Sequence, residues 1–361
     1  MIPYWLIFII PALFALAANP VARRNNDGTV RGGIDTLWAC LFVSITFFIG
    51  VREEVGADWF TYIYHLELAQ GKSYRQIFSS LEFSHWFLNK LMVDLGWGLL
   101  GVNLVYGVLF SVGLVAFARV QPRPWVALAC AVPYLVIVVG MGYSRQAVAV
   151  GLTLIGLVAF RRGRIASYIF WVLLAASFHN TAMFVFAVTA LAVEKKHRII
   201  FLIGLLVAGG LLFTIFRETV MVYIYIYAIA MLKSSDGALV RLLMNALAAG
   251  LFIYYQRAFS LSPIERRLWT LVSLTSLAFI PVYFLTELST ILDRLALYLI
   301  PLQLVTAAHL PDAFGSSGRR NNGIIFFVLL YFFAAQLVWL LFATHSKYWV
   351  PYRMGVSTYV S

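Results

Sequence analysis

Apolar residues in this chain come in long blocks rather than in alternation. The blocks fall at 2–20, 35–50, 97–118, 124–141, 144–160, 199–217, 238–256, 268–287, 290–310 and 323–344. A helix needs roughly 20 apolar residues, at about 1.5 Å each, to cross a bilayer core. A further stretch, 165–193, is apolar apart from SFHNTAMF at 177–184, and it is flanked by RRGR (161–164) and EKKHR (194–198). The sizeable polar regions are 51–96 and 218–237, with shorter connections at 257–267 and 311–322. There is no internal repeat and no segment polar enough to fold as a soluble domain. The pattern predicts one all-α polytopic membrane domain over 1–361, with an external amphipathic segment at 51–96 and a second external loop at 218–237.

Composition agrees. The chain is 62% hydrophobic and 12% charged, against roughly 45–50% and about 25% in soluble domains. Its net charge of +12 does not require a nucleic-acid partner, because membrane proteins gather Lys and Arg in cytoplasmic loops. The loops holding Arg23, Arg24 and Arg31; Arg119 and Arg123; Arg161, Arg162 and Arg164; Lys195, Lys196 and Arg198; Arg257, Arg266 and Arg267; and Arg319 and Arg320 carry 16 basic and 5 acidic residues. The opposite side keeps 11 basic and 10 acidic residues. This bias starts the N-terminus outside. The first apolar run lacks a basic leader and reads as the first span.

The same bias puts both ends of 165–193 in the cytoplasm, so the chain must cross an even number of times. Twenty-nine residues are too few for two full spans. Two half-length helices of about 13 residues, each roughly 20 Å long, fit a re-entrant hairpin turning at Ser177–Asn180. Broken backbone at membrane depth is tolerated where it faces protein or a wet cavity, so His179 and Asn180 are expected to face a cavity in the outer half.

Chemistry then gathers on the outer side. Arg145, Arg241 and Arg294 lie a few residues inside apolar runs, where a buried charge is costly and marks a functional candidate. VREEVGADWFTY (51–62) adds Arg52, Asp58 and Tyr62. LEFSHWFLNKL (81–91) adds Glu82 and His85 on a helix whose apolar face is Phe83, Trp86, Phe87, Leu88 and Leu91, as in interfacial helices. Several guanidinium groups around one cavity suit an anion bound bidentately, and a cavity open to lipid points to a lipid diphosphate. Arg217, Lys233 and Lys347 are expected to touch only headgroups. No P-loop, HExxH or CxxC is present; the histidines lack metal spacing, and no metal or cofactor is expected. Cys40 and Cys130 sit in apolar runs and make no disulfide framework.

The motifs fall in a recognisable order. R-x₃-G-x-D-x₃-Y (Arg52, Gly56, Asp58, Tyr62) is followed by E-F-x₃-F-x₂-K (Glu82 to Lys90) and S-R-Q-x₂-A (Ser144 to Ala149). Then come S-F-H-N (Ser177 to Asn180), D-R-x₃-Y (Asp293 to Tyr298) and W-V-P-Y (Trp349 to Tyr352). This order resembles the EpsG family of exopolysaccharide polymerases, related in role to Wzy-type O-antigen polymerases, over roughly 50–355. The resemblance implies a GT-C-like bundle of about 10–11 spans plus the hairpin. It implies polymerisation of polyprenyl-diphosphate-linked oligosaccharide repeats at the outer face of the bacterial cytoplasmic (inner) membrane. The lipid bilayer, a chain-length regulator and export machinery are then partners, and nucleic acid is not.

For that chemistry Arg145 and Arg294, then Arg52 and Arg241, would stabilise the departing diphosphate. His179 and Glu82, ahead of Asp58, would serve as the base. Tyr62, Gln146, Asn180, Asp293, Tyr298, Tyr352 and Arg353 would hold sugar. Arg241 and Arg353 lie outside the matched motifs. Two alternatives are a membrane acyltransferase using His179 with Asn180, and a polysaccharide flippase, which usually carries internal repeats. Losing a polymerase leaves single repeats on lipid carriers, losing an acyltransferase leaves long unsubstituted chains, and losing a flippase traps repeats inside. The hairpin is checked by cysteine labelling. Cysteines at Gly163 and Lys196 should both react from the cytoplasm and one at Asn180 should not; reaction of the first two from opposite sides contradicts it.

Overall fold

The computed structural model describes residues 1–18, 36–80, 82–193 and 237–355. The block 199–217, nearly all of the loop 218–237 and the basic loops around Arg23 and Lys195 lie outside the described residues. The described chain is helical throughout, and its strand-like pairing is a bridge between Arg52 and Met354. Helices α1 (Ile2–Ala17) and α2 (Thr36–Gly50) lead into a small cluster of short helices, α3 (Trp59–Gln70), α4 (Tyr74–Phe78) and α5 (Phe83–Asp94). Then follow α6 (Gly98–Arg119), α7 (Pro124–Gly142) and α8 (Ser144–Arg161). After α9 (Ile165–Phe178) and α10 (Phe184–Ala190), the description resumes with α11 (Ala238–Tyr255), α12 (Pro263–Leu285), α13 (Ser289–Leu299), α14 (Pro301–Phe314) and α15 (Asn322–Phe342). Among the described residues six helices are long and apolar enough to cross a membrane, or seven if α13 and α14 count as one span. The chain is an all-α, multi-pass membrane protein.

Two boundaries differ from the apolar pattern, each for a local reason. Helix α12 begins at Pro263 rather than near 268, because Ser262 accepts from the Glu265 amide while Glu265 accepts from the Ser262 amide; this capping box satisfies two end groups reciprocally. The block 290–310 is not one rod but α13 and α14, bent by 43°. Pro301 opens the second half, and a proline lacks the N–H that would continue the ladder.

The 165–193 stretch is a hairpin. Helix α9 stops at Phe178, His179 is extended (φ −152°, ψ 114°), and a single turn over Asn180–Met183 leads into α10. Tyr168 near the start of α9 hydrogen-bonds Thr189 on α10 and meets the Phe186 ring edge-on at 5.6 Å. A continuous helix would hold residues 168 and 189 about 31 Å apart. The chain therefore reverses at His179.

The two ends of the bundle have different chemistry. Arg123 pairs with Asp312 at 2.7 Å and donates to the carbonyls of Arg319 and Arg320, while Arg161 pairs with Glu265 at 2.7 Å. The basic connections thus meet at one end. Ser144 begins α8 at the other end, about 27 Å away along 18 residues. In between, α6 and α8 touch backbone to backbone. A Cβ at Gly113 would sit 1.9 Å from the Gly151 carbonyl oxygen, the small-residue contact that lets helices approach in lipid. On the cluster of short helices Phe60, Phe78, Phe83 and Phe87 stay exposed, a surface suited to the membrane interface.

Tyr168→Phe removes the hydrogen bond that ties the hairpin arms but keeps the ring contact. It should lower stability by about 1 kcal/mol, read as a lower unfolding temperature of the purified protein in detergent.

Candidate active site

One carboxylate organises the end of the bundle opposite the basic loops. Glu82 precedes α5 and is 3% exposed. Its Oε2 accepts from Arg145 Nη1 at 2.7 Å. Its Oε1 accepts from His179 Nδ1 at 2.8 Å and from the Asn180 amide at 3.2 Å. The cluster of short helices, the start of α8 and the hairpin turn therefore share one anion. Burial alone would push the Glu82 carboxyl up. The His179 hydrogen bond, the charges of Arg145 and His179 and the Asn180 amide overcome it, and hold Glu82 at about 2. An ionised Glu82 takes the Nδ1 proton of His179 as its hydrogen bond, which leaves Nε2 as a lone-pair acceptor. Among the described residues Nε2 has no hydrogen-bond partner.

Around this hub, polar contacts fasten the neighbouring elements. The Arg145 amide donates to the Tyr62 hydroxyl at 3.2 Å. Gln146 Nε2 donates to the Arg294 carbonyl at 2.6 Å, joining α8 to α13. Thr181 and Tyr298 join the hairpin turn to the bent helix, hydroxyl to hydroxyl at 3.1 Å. Asp293 takes an ion pair from Arg241 on α11. Asp58, just before α3, is half-buried and within electrostatic reach of Arg145 and Arg294. Burial raises its carboxyl from the ordinary value, against the pull of those two arginines. Its carboxylate makes no hydrogen bond among the described residues, while its backbone carbonyl accepts from the Tyr62 amide at 3.1 Å.

The EpsG family model matches residues 35–354. The chain belongs to the EpsG family. No curated protein and no solved structure matches it. EpsG membership implies an exopolysaccharide polymerase-like function in polysaccharide biosynthesis. The matched span contains every EpsG motif residue placed above.

The candidate site gathers Asp58, Tyr62, Glu82, Arg145, Gln146, His179, Asn180, Arg241, Asp293, Arg294 and Tyr298. It does not gather the rest of the expected set. Arg52 is 2% exposed and donates to the carbonyls of Ile49 and Val55, to Asn103 at 3.2 Å and to Ser144 at 2.6 Å. Four of its five N–H donors are taken by protein, so the buried guanidinium is committed to bolting the 51–58 loop to the start of α8 rather than presented to a diphosphate. Tyr352 stacks on Phe48 at 5.0 Å and donates to the Phe48 carbonyl, and Arg353 pairs with Glu54 on the surface. Both belong to a C-terminal strap rather than to a sugar site. Within that strap Trp349 Nε1 donates to the Ile137 carbonyl at 2.8 Å, and the Gly56 amide donates to the Tyr348 carbonyl at 2.9 Å. Gly56 has φ +109°, and a Cβ there would lie 2.3 Å from the Met141 carbonyl oxygen; the approach of the loop to α7 needs glycine. Tyr62, Gln146 and Tyr298 are buried and hydrogen-bonded to protein, so they brace the wall instead of presenting a face to sugar.

Sequence reasoning missed a second buried network behind Glu82. The Tyr106 hydroxyl donates to His85 Nδ1 at 2.6 Å, leaving the His85 Nε2–H for His65 Nδ1 at 3.1 Å. Asn89 also donates to His85 Nδ1 at 3.1 Å. Burial pushes His65 down to about 4 and His85 well below the ordinary histidine value, so both are neutral at pH 7. The signal was present: Asn103 and Tyr106 are polar positions inside an apolar block. Among the described residues no group of His, Cys, Asp or Glu could hold a metal ion.

Glu82 sets a pH dependence. Its folded value, about 2, lies below its ordinary 4.5, so its stabilising contribution is complete above about pH 4.5 and is lost as pH falls towards 2. Thermal unfolding should show wild type ahead of Glu82→Gln by a constant margin from pH 6 to 8. That margin should shrink below pH 4.5.

Proposed function

We propose that the protein polymerises polyprenyl-diphosphate-linked oligosaccharide repeats into exopolysaccharide or O-antigen, at the outer face of the bacterial cytoplasmic membrane. The observation that carries this reading is the Glu82 carboxylate, which grips Arg145 with one oxygen and His179 with the other. A glycosyl transfer from a lipid diphosphate needs two things at adjoining points: a cation for the leaving phosphates and a base for the incoming hydroxyl. Glu82 fixes both relative to each other.

In the proposed step the acceptor hydroxyl of one repeat attacks the anomeric carbon of the sugar on another carrier. Its O–H proton passes to His179 Nε2. The bond between the anomeric carbon and the diphosphate oxygen breaks, and the polyprenyl diphosphate leaves with the electron pair. Arg145 and Arg294 face the developing negative charge, with Arg241 behind them in its pair with Asp293. Fixed cations in a water-poor site stabilise such charge without reorganising. Glu82 orients the imidazole and supports the imidazolium that forms, as the carboxylate does in a serine-protease triad. Asn180 and Asp293 remain as sugar contacts. Asp58 supports a second assignment of the base, because its carboxylate carries no hydrogen bond among the described residues and burial raises its proton affinity.

Purified protein with a synthetic lipid-linked repeat, read by product mass, tests this. Arg145→Lys keeps the charge and loses the fork, and should slow polymerisation about 10-fold or more at unchanged protein level. His179→Gln should slow it by about 10²–10⁴-fold, because glutamine cannot take a proton. Substantial activity in His179→Gln together with loss in Asp58→Asn moves the base to Asp58. Full activity in both Arg145→Lys and Arg294→Lys removes the diphosphate clamp.

A further inference from the structure

A groove of about 290 Å³ lies between α11, α14 and α15, some way down the bundle from the arginines. Met244, Ala248 and Leu251 form one wall, Gln303 and Ala307 the floor, and Phe327 the far side. Helices α11 and α15 each pack on α14 and splay apart above it. The flanks are open to the side, with Phe327 at 70% and Leu247 at 49% exposed, so a lipid chain can enter from the bilayer.

The α11 face that lines the groove begins one turn below the charged end of the site, at Met244. Residues 241, 244, 248 and 251 recur at helical spacing and make one stripe along α11. Arg241, paired with Asp293, is the top of that stripe, and Leu251 lies about 15 Å below it. A second link runs through polar groups. Gln303 donates to Asn245 at 2.6 Å, and Asn245 donates at 3.0 Å to the carbonyl of Ala296, two residues beyond Arg294. The amide groups at the groove floor are thus bonded to protein and leave a dry, apolar trough. Ala248 and Ala307 are 6% and 4% exposed; these small side chains are what give the trough its depth.

We propose that this groove seats the isoprenoid chain of a diphosphate carrier whose head lies at Arg241 and Arg294, a placement that rests on the lipid-diphosphate reading above. A branched, partly rigid chain fits a narrow trough with aromatic flanks. The head alone would not separate a prenyl diphosphate from any other diphosphate. In lipid the selection comes from packing rather than from exclusion of water.

Two experiments separate this inference from the polymerase reading. In the first, purified protein in nanodiscs of phosphatidylethanolamine and phosphatidylglycerol is photolabelled with a long-chain prenyl diphosphate carrying a diazirine on the chain. No turnover is needed. Label should map to α11, α14 and α15, compete with unlabelled prenyl diphosphate, and fall about 3–20-fold in Ala307→Trp and Ala248→Trp, the range of single contacts inside lipid. Label that maps elsewhere, or that excess phosphatidylglycerol displaces equally, overturns the proposal. In the second, wild type should use a long prenyl carrier in preference to a geranyl carrier, and the tryptophan variants should lose that preference. An unchanged preference overturns the groove. A wild type inactive on both carriers refutes the polymerase reading, and the photolabel still decides the groove. If the tryptophan variants do not accumulate, the wild-type label map and its competition decide it.

Discussion

A buried carboxylate must be paired, and the way Glu82 is paired shapes this end of the molecule. Removing one partner of a buried ion pair typically costs roughly 3–5 kcal/mol, because the other charge stays behind uncompensated. Glu82 meets that constraint with three partners from two other elements: Arg145 at the start of α8, and His179 with the Asn180 amide at the hairpin turn. The turn needs the carboxylate as much as the carboxylate needs the turn. With His179 extended, the Asn180 amide has left the helical ladder, and an unpaired amide at that depth is expensive. The anion that fixes the imidazole thus also makes the reversal of the chain tolerable.

Two interrupted helical segments deliver the polar groups. The hairpin breaks at His179, and α13 and α14 break at Pro301. Such breaks survive at membrane depth when protein satisfies the freed groups. Here Thr181 and Tyr298 close one break on the other, and Gln146 takes the Arg294 carbonyl. Residues that look like substrate ligands in a linear motif serve as struts. Arg52 is the plainest case, a buried guanidinium with four of its five N–H donors given to backbone and side-chain oxygens. The C-terminal W-V-P-Y motif acts at one remove, strapping the 51–58 loop against α7 so that Asp58 stands beside the arginines.

Asp58 and Glu82, two of the acidic residues of the site, are pushed apart by their surroundings. Glu82, with three donors, is held at about 2; Asp58, half-buried and with no hydrogen bond to its carboxylate among the described residues, is raised. Opposite displacement of neighbouring carboxyls is how a protein assigns them different tasks. Glu82 is suited to orienting and charge balance, and Asp58 keeps a proton affinity closer to neutral pH.

Much of this was legible in the amino-acid order. Apolar block length marked the helices, the placement of arginines separated the two ends, and the His-Asn pair inside 165–193 marked the reversal. These signals are local: a helix period, a loop charge, a polar pair where apolar residues belong. Local order could not say which of many arginines and tyrosines are already satisfied. Arg52 and Arg145 read alike as cations at helix ends, yet Arg52 is filled by Ile49, Val55, Asn103 and Ser144 while Arg145 remains partly exposed beside His179. The bend at Pro301, the burial of Tyr62 and Tyr298, and the His65–His85–Tyr106 chain were equally hidden. The chemistry of a buried polar side chain is set by the partners that remain for it after packing. Those partners come from helices up to hundreds of residues away, so only the tertiary structure decides it.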